Sequence, residues 1–229
     1  MNSVTPATVL IAGASRGIGL ELARQYRQDG WRVIATARDE SGMSRLAALG
    51  AEPVRLDMRA EQQFSFLEQR LADLALDVCI YNAGVAGPRT THVAAPSTDQ
   101  FDEVMQTNLL GALRWIAVTA PHVARAHGRL AFLSSKMGSI GLMTSESSVL
   151  YRASKAALNA VVKATALEWG NQGVTVLSLH PGYVRTDMGG AAADVDVQTS
   201  VTGLRTVIGS ATMAHNGSFL DYTGAELIW

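Results

Sequence analysis

Tyr151 and Lys155 stand four residues apart in LYRASKAALNAVVKATALEWG, so a helix would stack them on one face within reach of each other. A phenol with a free pKa near ~10 is a poor proton donor and acceptor at neutral pH, but a nearby ammonium favours its phenolate. The pair therefore suits proton transfer. Ordinary amphipathic helices also carry tyrosine and lysine at this spacing, so the pair gains meaning only from what accompanies it. On the same helix Leu158 and Val162 share the side of Tyr151, whereas Ala153, Ala157, Ala160 and Ala164 form a small-residue stripe opposite. That stripe suits close helix packing, either with a second subunit in a homodimer or homotetramer or with a neighbouring helix of the same chain.

A second chemical feature lies near the start, where the apolar run TVLIA leads into GASRGIG. Gly13 lets the chain turn sharply, Gly17 lets backbone N–H groups approach a pyrophosphate, and Gly19 lets the following helix pack against the strand. Ser15, Arg16 and Ile18 belong to the same cradle, whose helix N-terminus would point at the anion. Arg38 follows the second strand at Ala37 and, with Arg16, could pair with a 2′-phosphate, as in NADP(H). Asp39 competes with that reading, because it lies about 20 residues beyond Gly19, near the usual distance of a ribose-binding acid. Since Asp39 comes one position later, in the loop, the sequence favours NADP(H) and leaves NAD(H) open.

These groups need elements to hold them. Short strand-like runs, TVLIA, WRVIATA, AEPVRL, LDVCIY, GRLAFLS, GVTVLSLH and GSFLDY, alternate with helical patterns. Helices are expected from GLELARQYRQDG, EQQFSFLEQRLADL and TDQFDEVMQTNLLGALRWIAV, and from Tyr151 onward. The pattern predicts an α/β fold, a doubly wound parallel sheet with helices on both faces, in one domain over residues 1–229. Gly189 to Gln198, GGAAADVDVQ, reads as a mobile loop beside the site or as a plain surface loop.

GASRGIG, YNAG, Asn108 in QTNLLG, SSKMG, YRASK and HPGYVRTDM, in this order, resemble the short-chain dehydrogenase/reductase family over nearly the whole chain. The run YRASKAALN, the C-terminal GSFLDYTGAELIW and the short length resemble its C-factor-like and sniffer-like carbonyl reductases. The resemblance implies a Rossmann-like fold and hydride transfer between a nicotinamide and a carbonyl/alcohol pair. It gives Tyr151 the proton for the carbonyl oxygen and Ser135 a hydrogen bond to that oxygen. Lys155 would bind the nicotinamide ribose and lower the tyrosine pKa, and Asn108 would hold a water linking Lys155 to solvent. It also puts Asp57 and Met58 at the adenine. Asn82, Ala83 and Gly84 would let the backbone approach the cofactor, and Pro181, Gly182, Val184 and Thr186 would border the nicotinamide. Plainer roles exist too: Ser134 or Ser135 could finish a strand, and Asn108 could bond a backbone.

Three positions depart from the family pattern. Ala12 replaces the usual threonine, Tyr81 the usual asparagine, and the longer spacing from Ser135 to Tyr151 implies an extended loop, GSIGLMTSESSVL, over the substrate. Met137, Leu142, Met143, Tyr183 and Met188 are candidate substrate contacts that suit apolar carbonyl compounds, and they could equally fill the core.

A net charge of -1 with scattered basic residues argues against nucleic acid or a membrane surface as partner. Cys79 is the single cysteine and lies in an apolar run, MNSVTPATVL carries no basic secretory n-region, and both features suit the cytoplasm. The five histidines form no ligand pattern, so no metal is expected. The rival to an enzyme is a dinucleotide-binding sensor or signalling protein with little turnover on the same fold.

Overall fold

The computed structural model describes residues 6–229. Seven strands form one all-parallel sheet in the order β3-β2-β1-β4-β5-β6-β7. They are β1 (Thr8–Ala12), β2 (Arg32–Ala37), β3 (Glu52–Arg55), β4 (Val78–Tyr81), β5 (Arg129–Leu133), β6 (Thr175–His180) and β7 (Ser218–Asp221). The central strands are buried on both faces, which is why β1 and β4 read as unbroken apolar runs. Alternate residues feed separate cores: Val9 and Ile11 face one layer, Leu10 and Ala12 the other.

The first layer holds α1 (Gly17–Gln28), α2 (Glu40–Ala48) and α7 (Val197–Ser210), with Leu22, Tyr26, Leu204 and Ile208 buried between helices and sheet. The second holds α3 (Glu61–Leu71), α4 (Thr98–Met105), α5 (Gly111–Arg125) and α6 (Val149–Trp169), packed through Leu67, Trp115, Leu158 and Val162. Because β1 connects outward to β2 on one side while β4 lies on its other side, the strand order reverses between β1 and β4 although the strands stay parallel. A crevice opens there, beyond the strands' C-terminal ends.

The elements differ from or add to the sequence expectation in four places. Helices α2 and α7 escaped the sequence reading: ESGMSRLAA opens with small polar residues, and VQTSVTGLRTVIGS is rich in β-branched residues and glycine, so tertiary packing overrides weak propensity. The expected single helix from Thr98 is interrupted by a π-helical turn, Gln106–Leu110, before α5. The segment at Gly189 is a surface loop tied to the chain on either side of it. Val184 bridges Val195, Arg185 donates to the carbonyls of Ala193 and Asp194, and α7 already begins at Val197. Ala153, Ala160 and Ala164 of the alanine stripe are exposed, so among the described residues no helix covers them, while Ala157 is half-buried.

The loop between Ser139 and Ser148 is fastened at its ends: Gly141 N–H donates to the Trp229 carbonyl and Ser148 N–H to the Thr90 carbonyl. Among the described residues no helix is long and apolar enough to cross a membrane. Phe132, fully buried on β5 with its ring centroid 6.1 Å from that of Tyr81, tests the second core layer. Phe132→Ala is expected to cost about 3–5 kcal/mol, read as a lower urea midpoint at unchanged m-value.

Candidate active site

The crevice at the β1/β4 reversal is a cleft of about 450 Å³. Gly13, Ser15, Arg16, Gly17 and Ile18 form one wall. Gly13 has φ +70°, and a Cβ there would stand 2.8 Å from the Ala83 Cα, so neither the turn nor the approach of β1 to β4 tolerates a side chain. Gly19 lies behind the wall, where a Cβ would meet the Gly13 carbonyl oxygen at 2.4 Å. The first hydrogen bond entering α1 is Leu20 N–H to the Arg16 carbonyl, so the N–H groups just before it lack helical partners at the cleft.

Residues outside the glycine motif hold this turn. Thr36 on β2 accepts the Gly13 N–H at its hydroxyl (3.0 Å) and the Ala14 N–H at its carbonyl (2.8 Å), which ties down the turn despite alanine at position 12. The Asn82 side chain donates to the Gly13 carbonyl at 2.7 Å, so it braces the turn rather than serving only as a small residue. Arg45 on α2 donates to the Ser15 carbonyl at 2.8 Å. Neither Thr36 nor Arg45 belongs to a local motif, and only the tertiary structure brings them here.

Ala37, Arg38, Leu56, Asp57 and Met58 line the end beyond β2 and β3. Asp39 is turned away: as the N-cap of α2, its carboxylate accepts from Gly42 N–H (2.7 Å) and the Ser41 hydroxyl (2.8 Å). These bonds hold the Asp39 carboxyl below its ordinary range. Arg38 is exposed and forms no ion pair among the described residues, whereas Arg16 pairs with Asp187 at 3.1 Å across the mouth. The carbonyl of neighbouring Met188 accepts from the Arg89 guanidinium, giving the Asp187–Met188 segment a second tie.

Tyr151 and Lys155 face the cleft from α6, beside Leu133 and Ser134 at the end of β5 and Ala83 and Gly84 after β4. Lys155 is 4% exposed, and its amine donates to the Leu133 carbonyl at 2.8 Å and stands 5.8 Å from the centre of the Tyr151 ring. Burial lowers its pKa to about 8. Burial pushes the Tyr151 phenol up, and the opposing pull comes from a hydrogen bond with Ser135. The i,i+4 spacing sets the amine beside the ring.

Ser134 and Ser135 have separate tasks. The Ser134 hydroxyl donates to the Asn159 side-chain oxygen, which also accepts from Ser178, whereas Ser135 accepts the Met137 N–H at 3.1 Å and lies beside Tyr151. Asn108 does not line the cleft. Its side chain exchanges two 2.9 Å hydrogen bonds with the Val85 backbone and donates to Ser154, so its side-chain atoms clamp the segment after β4.

Pro181 and Thr186 line the opposite wall, but Gly182 and Val184 do not: Gly182 packs against the Tyr222 ring and Val184 is buried in its bridge to Val195. Of the five candidate substrate contacts only Met188 reaches the cleft, while Met143 and Tyr183 are about half exposed. Val85, Thr107, Arg185, Asp187 and Val197 line it without having been singled out in the sequence. His180 ends β6, its pKa lowered to about 4 by burial, so it is neutral near pH 7. No group of three or more His, Cys, Asp or Glu among the described residues is placed to hold a metal.

Residues 7–196 match the family model for short chain dehydrogenases. The C-signal of Myxococcus xanthus is 38% identical over 157 residues, spanning 67% of this chain and 93% of that protein. Two solved structures superpose closely. The carbonyl reductase Sniffer of D. melanogaster has a TM-score of 0.88 at 28% identity, covering 98% of this chain and all of the other. A carbonyl reductase from Pseudomonas aeruginosa PAO1 in complex with NADP has a TM-score of 0.84 at 35% identity, covering 98% and 100%.

Removing the buried amine should reveal its cost. Below pH 8 Lys155 is charged in both folded and unfolded chains and the burial penalty is complete. Between pH 8 and 10.5 the unfolded chain keeps a proton the folded chain has released, so folded stability recovers as pH rises. Lys155→Met should therefore melt at a higher temperature than the parent at pH 7, with the gap narrowing by pH 10. Thermal melts across this range check it, and a lower melting temperature for the variant at pH 7 would contradict it.

Proposed function

Because the chain belongs to the short-chain dehydrogenase/reductase family, we propose that it is an NADP(H)-dependent carbonyl reductase that uses Tyr151, Lys155, Ser135 and Asn108. The observation that carries this reading is that Tyr151 and Lys155 line a cleft beside a glycine cradle, with Ser135 next to Tyr151 behind the lining, while the far end presents Arg38 and Asp39 is occupied in capping α2. The residues fit the cofactor: the cradle admits no side chain at Gly13, and N–H donors at the α1 N-terminus meet the cleft. Gly13, Ser15, Gly17 and Ile18 would hold the pyrophosphate. Arg38 would meet the 2′-phosphate, Asp57 and Met58 the adenine, and Pro181 and Thr186 the nicotinamide end. NADP bound to the similar Pseudomonas enzyme supports the choice.

When bound, the nicotinamide supplies or accepts the hydride. Ser135 and Tyr151 orient a carbonyl oxygen by hydrogen bonding, and Tyr151 delivers the proton as negative charge develops there. Lys155 contributes a positive charge beside the phenolate left behind and would bond the ribose. Asn108 fixes Val85 at the edge of this site. The cleft walls contributed by Leu133, Val85 and Met188 favour an apolar carbonyl compound. The exposed alanine stripe of α6 supports a homodimer or homotetramer through this helix, and the charge and single buried cysteine suit a cytoplasmic setting.

Steady oxidation of NADPH with a panel of aldehydes and ketones tests the function. Tyr151→Phe should reduce kcat by about 10²–10⁴-fold while still binding NADPH. Tight NADPH binding without turnover by the parent would instead favour the low-turnover sensor. Cofactor choice is tested separately: Arg38→Ala should reduce the NADPH-over-NADH preference in kcat/KM by about 10-fold or more, and Asp39→Ala should leave that preference unchanged while lowering the melting temperature.

A further inference from the structure

Tyr81 ends β4, is fully buried, and does not line the cleft. The hydroxyl donates to the Thr107 carbonyl at 2.5 Å, inside the π-helical turn Gln106–Leu110. In that turn Gly111 N–H reaches back five residues to the Gln106 carbonyl, so the regular four-residue ladder is broken where the phenol enters from outside. Gly111 makes room for it: a Cβ there would stand 2.7 Å from the Tyr81 hydroxyl and 2.8 Å from the Met58 Cβ.

Asn108, the next residue after Thr107, clamps both the N–H and the carbonyl of Val85. Val85 adjoins Gly84, and a Cβ built on Gly84 would lie 3.4 Å from both the Asn108 oxygen and the Lys155 amine. One chain of contacts therefore runs from Tyr81 through Thr107 and Asn108 to the backbone beside Lys155. Burial raises the pKa of the Tyr81 phenol, so it remains a neutral donor throughout the working range.

We propose that Tyr81 is a positioning residue: its hydroxyl, in the space left by Gly111, holds the widened helical turn so that Asn108 sets the backbone of Gly84 and Val85 against Lys155. The proposal rests on the carbonyl-reductase reading for its kinetic consequence, but its structural part stands without turnover. Tyr81 touches neither the cleft nor any reacting atom, and its influence passes through Asn108.

The experiment compares the parent, Tyr81→Phe and Gly111→Ala. In Tyr81→Phe the ring packing stays and the hydroxyl is lost. In Gly111→Ala the hydroxyl stays and is pushed from Thr107. Amide hydrogen exchange of Val85, whose N–H donates to Asn108, should accelerate about tenfold in both variants, beyond any change at Leu10 in the middle of β1. With the carbonyl substrate on which the parent is fastest, kcat should fall about 5- to 20-fold in both, KM should change less than about twofold, and the pH at which kcat rises or falls should move. Unchanged Val85 exchange together with an unchanged kcat–pH profile in Tyr81→Phe would overturn the proposal, even if its melting temperature fell. Should Gly111→Ala not fold, Tyr81→Phe alone decides the matter. A parent that shows no turnover with any carbonyl would refute the enzyme reading and leave the Val85 exchange to judge the positioning role.

Discussion

The close approach of Gly13 to Ala83 governs the C-terminal edge of the sheet. It occurs where the strand order turns around, between two strands whose following segments leave in different directions. A side chain at Gly13 would push the ends of β1 and β4 apart, because the space between them holds no atom of a Cβ. Thr36 from the outer half and Asn82 from the inner half both bind the backbone of Gly13, one at its N–H and one at its carbonyl. A single peptide turn is thus fixed from both halves of the sheet, and the N-terminus of α1 takes its direction from it.

Behind that edge lies a polar layer that the surrounding apolar core makes expensive to disturb. Asn159 gathers the hydroxyls of Ser134 and Ser178, Asn108 clamps Val85 and Ser154, and Lys155 is capped by Leu133. Each group is buried, and each is satisfied chiefly by a partner distant in sequence. Such networks define one geometry because an unpaired buried donor or acceptor is costly. The charged amine stands out as the member whose solvation is least replaced, which accounts for the direction of its pKa shift. Stability is given up at the place where the proposed chemistry needs a proton-handling group.

Much of this could be read from residue order. Fully buried parallel strands announce themselves as short apolar runs, and TVLIA, LDVCIY and GVTVLSLH each mark a strand of the sheet. Helices with a clear apolar face, such as GLELARQYRQ, were equally legible. What escaped were α2 and α7, whose local propensities are weak and whose packing decides them, and the π turn, which has no periodic signature of its own. At the site, the glycine turn and the Tyr151–Lys155 spacing are local patterns and visible in one dimension. Thr36, Asn82 as a brace, and the role of Asp39 as a cap depend on where strands and helices end in space. Gly182 and Val184 lie in a recognisable run, but their packing against Tyr222 and Val195 is set by the backbone path and not by that run.

The ion pair between Arg16 and Asp187 joins the glycine turn to the segment after β6 across the cleft mouth. Both partners are largely exposed, so water and dissolved ions weaken their attraction, and its strength is comparable to thermal energy. The entrance is consequently held by a fastening that yields spontaneously, and its hold declines as ionic strength rises. An occupant anchored by the deeper, desolvated contacts does not depend on that fastening to stay, whereas one bound only near the mouth does. Retention and exit are thereby governed by different physics, the first by burial and the second by screening.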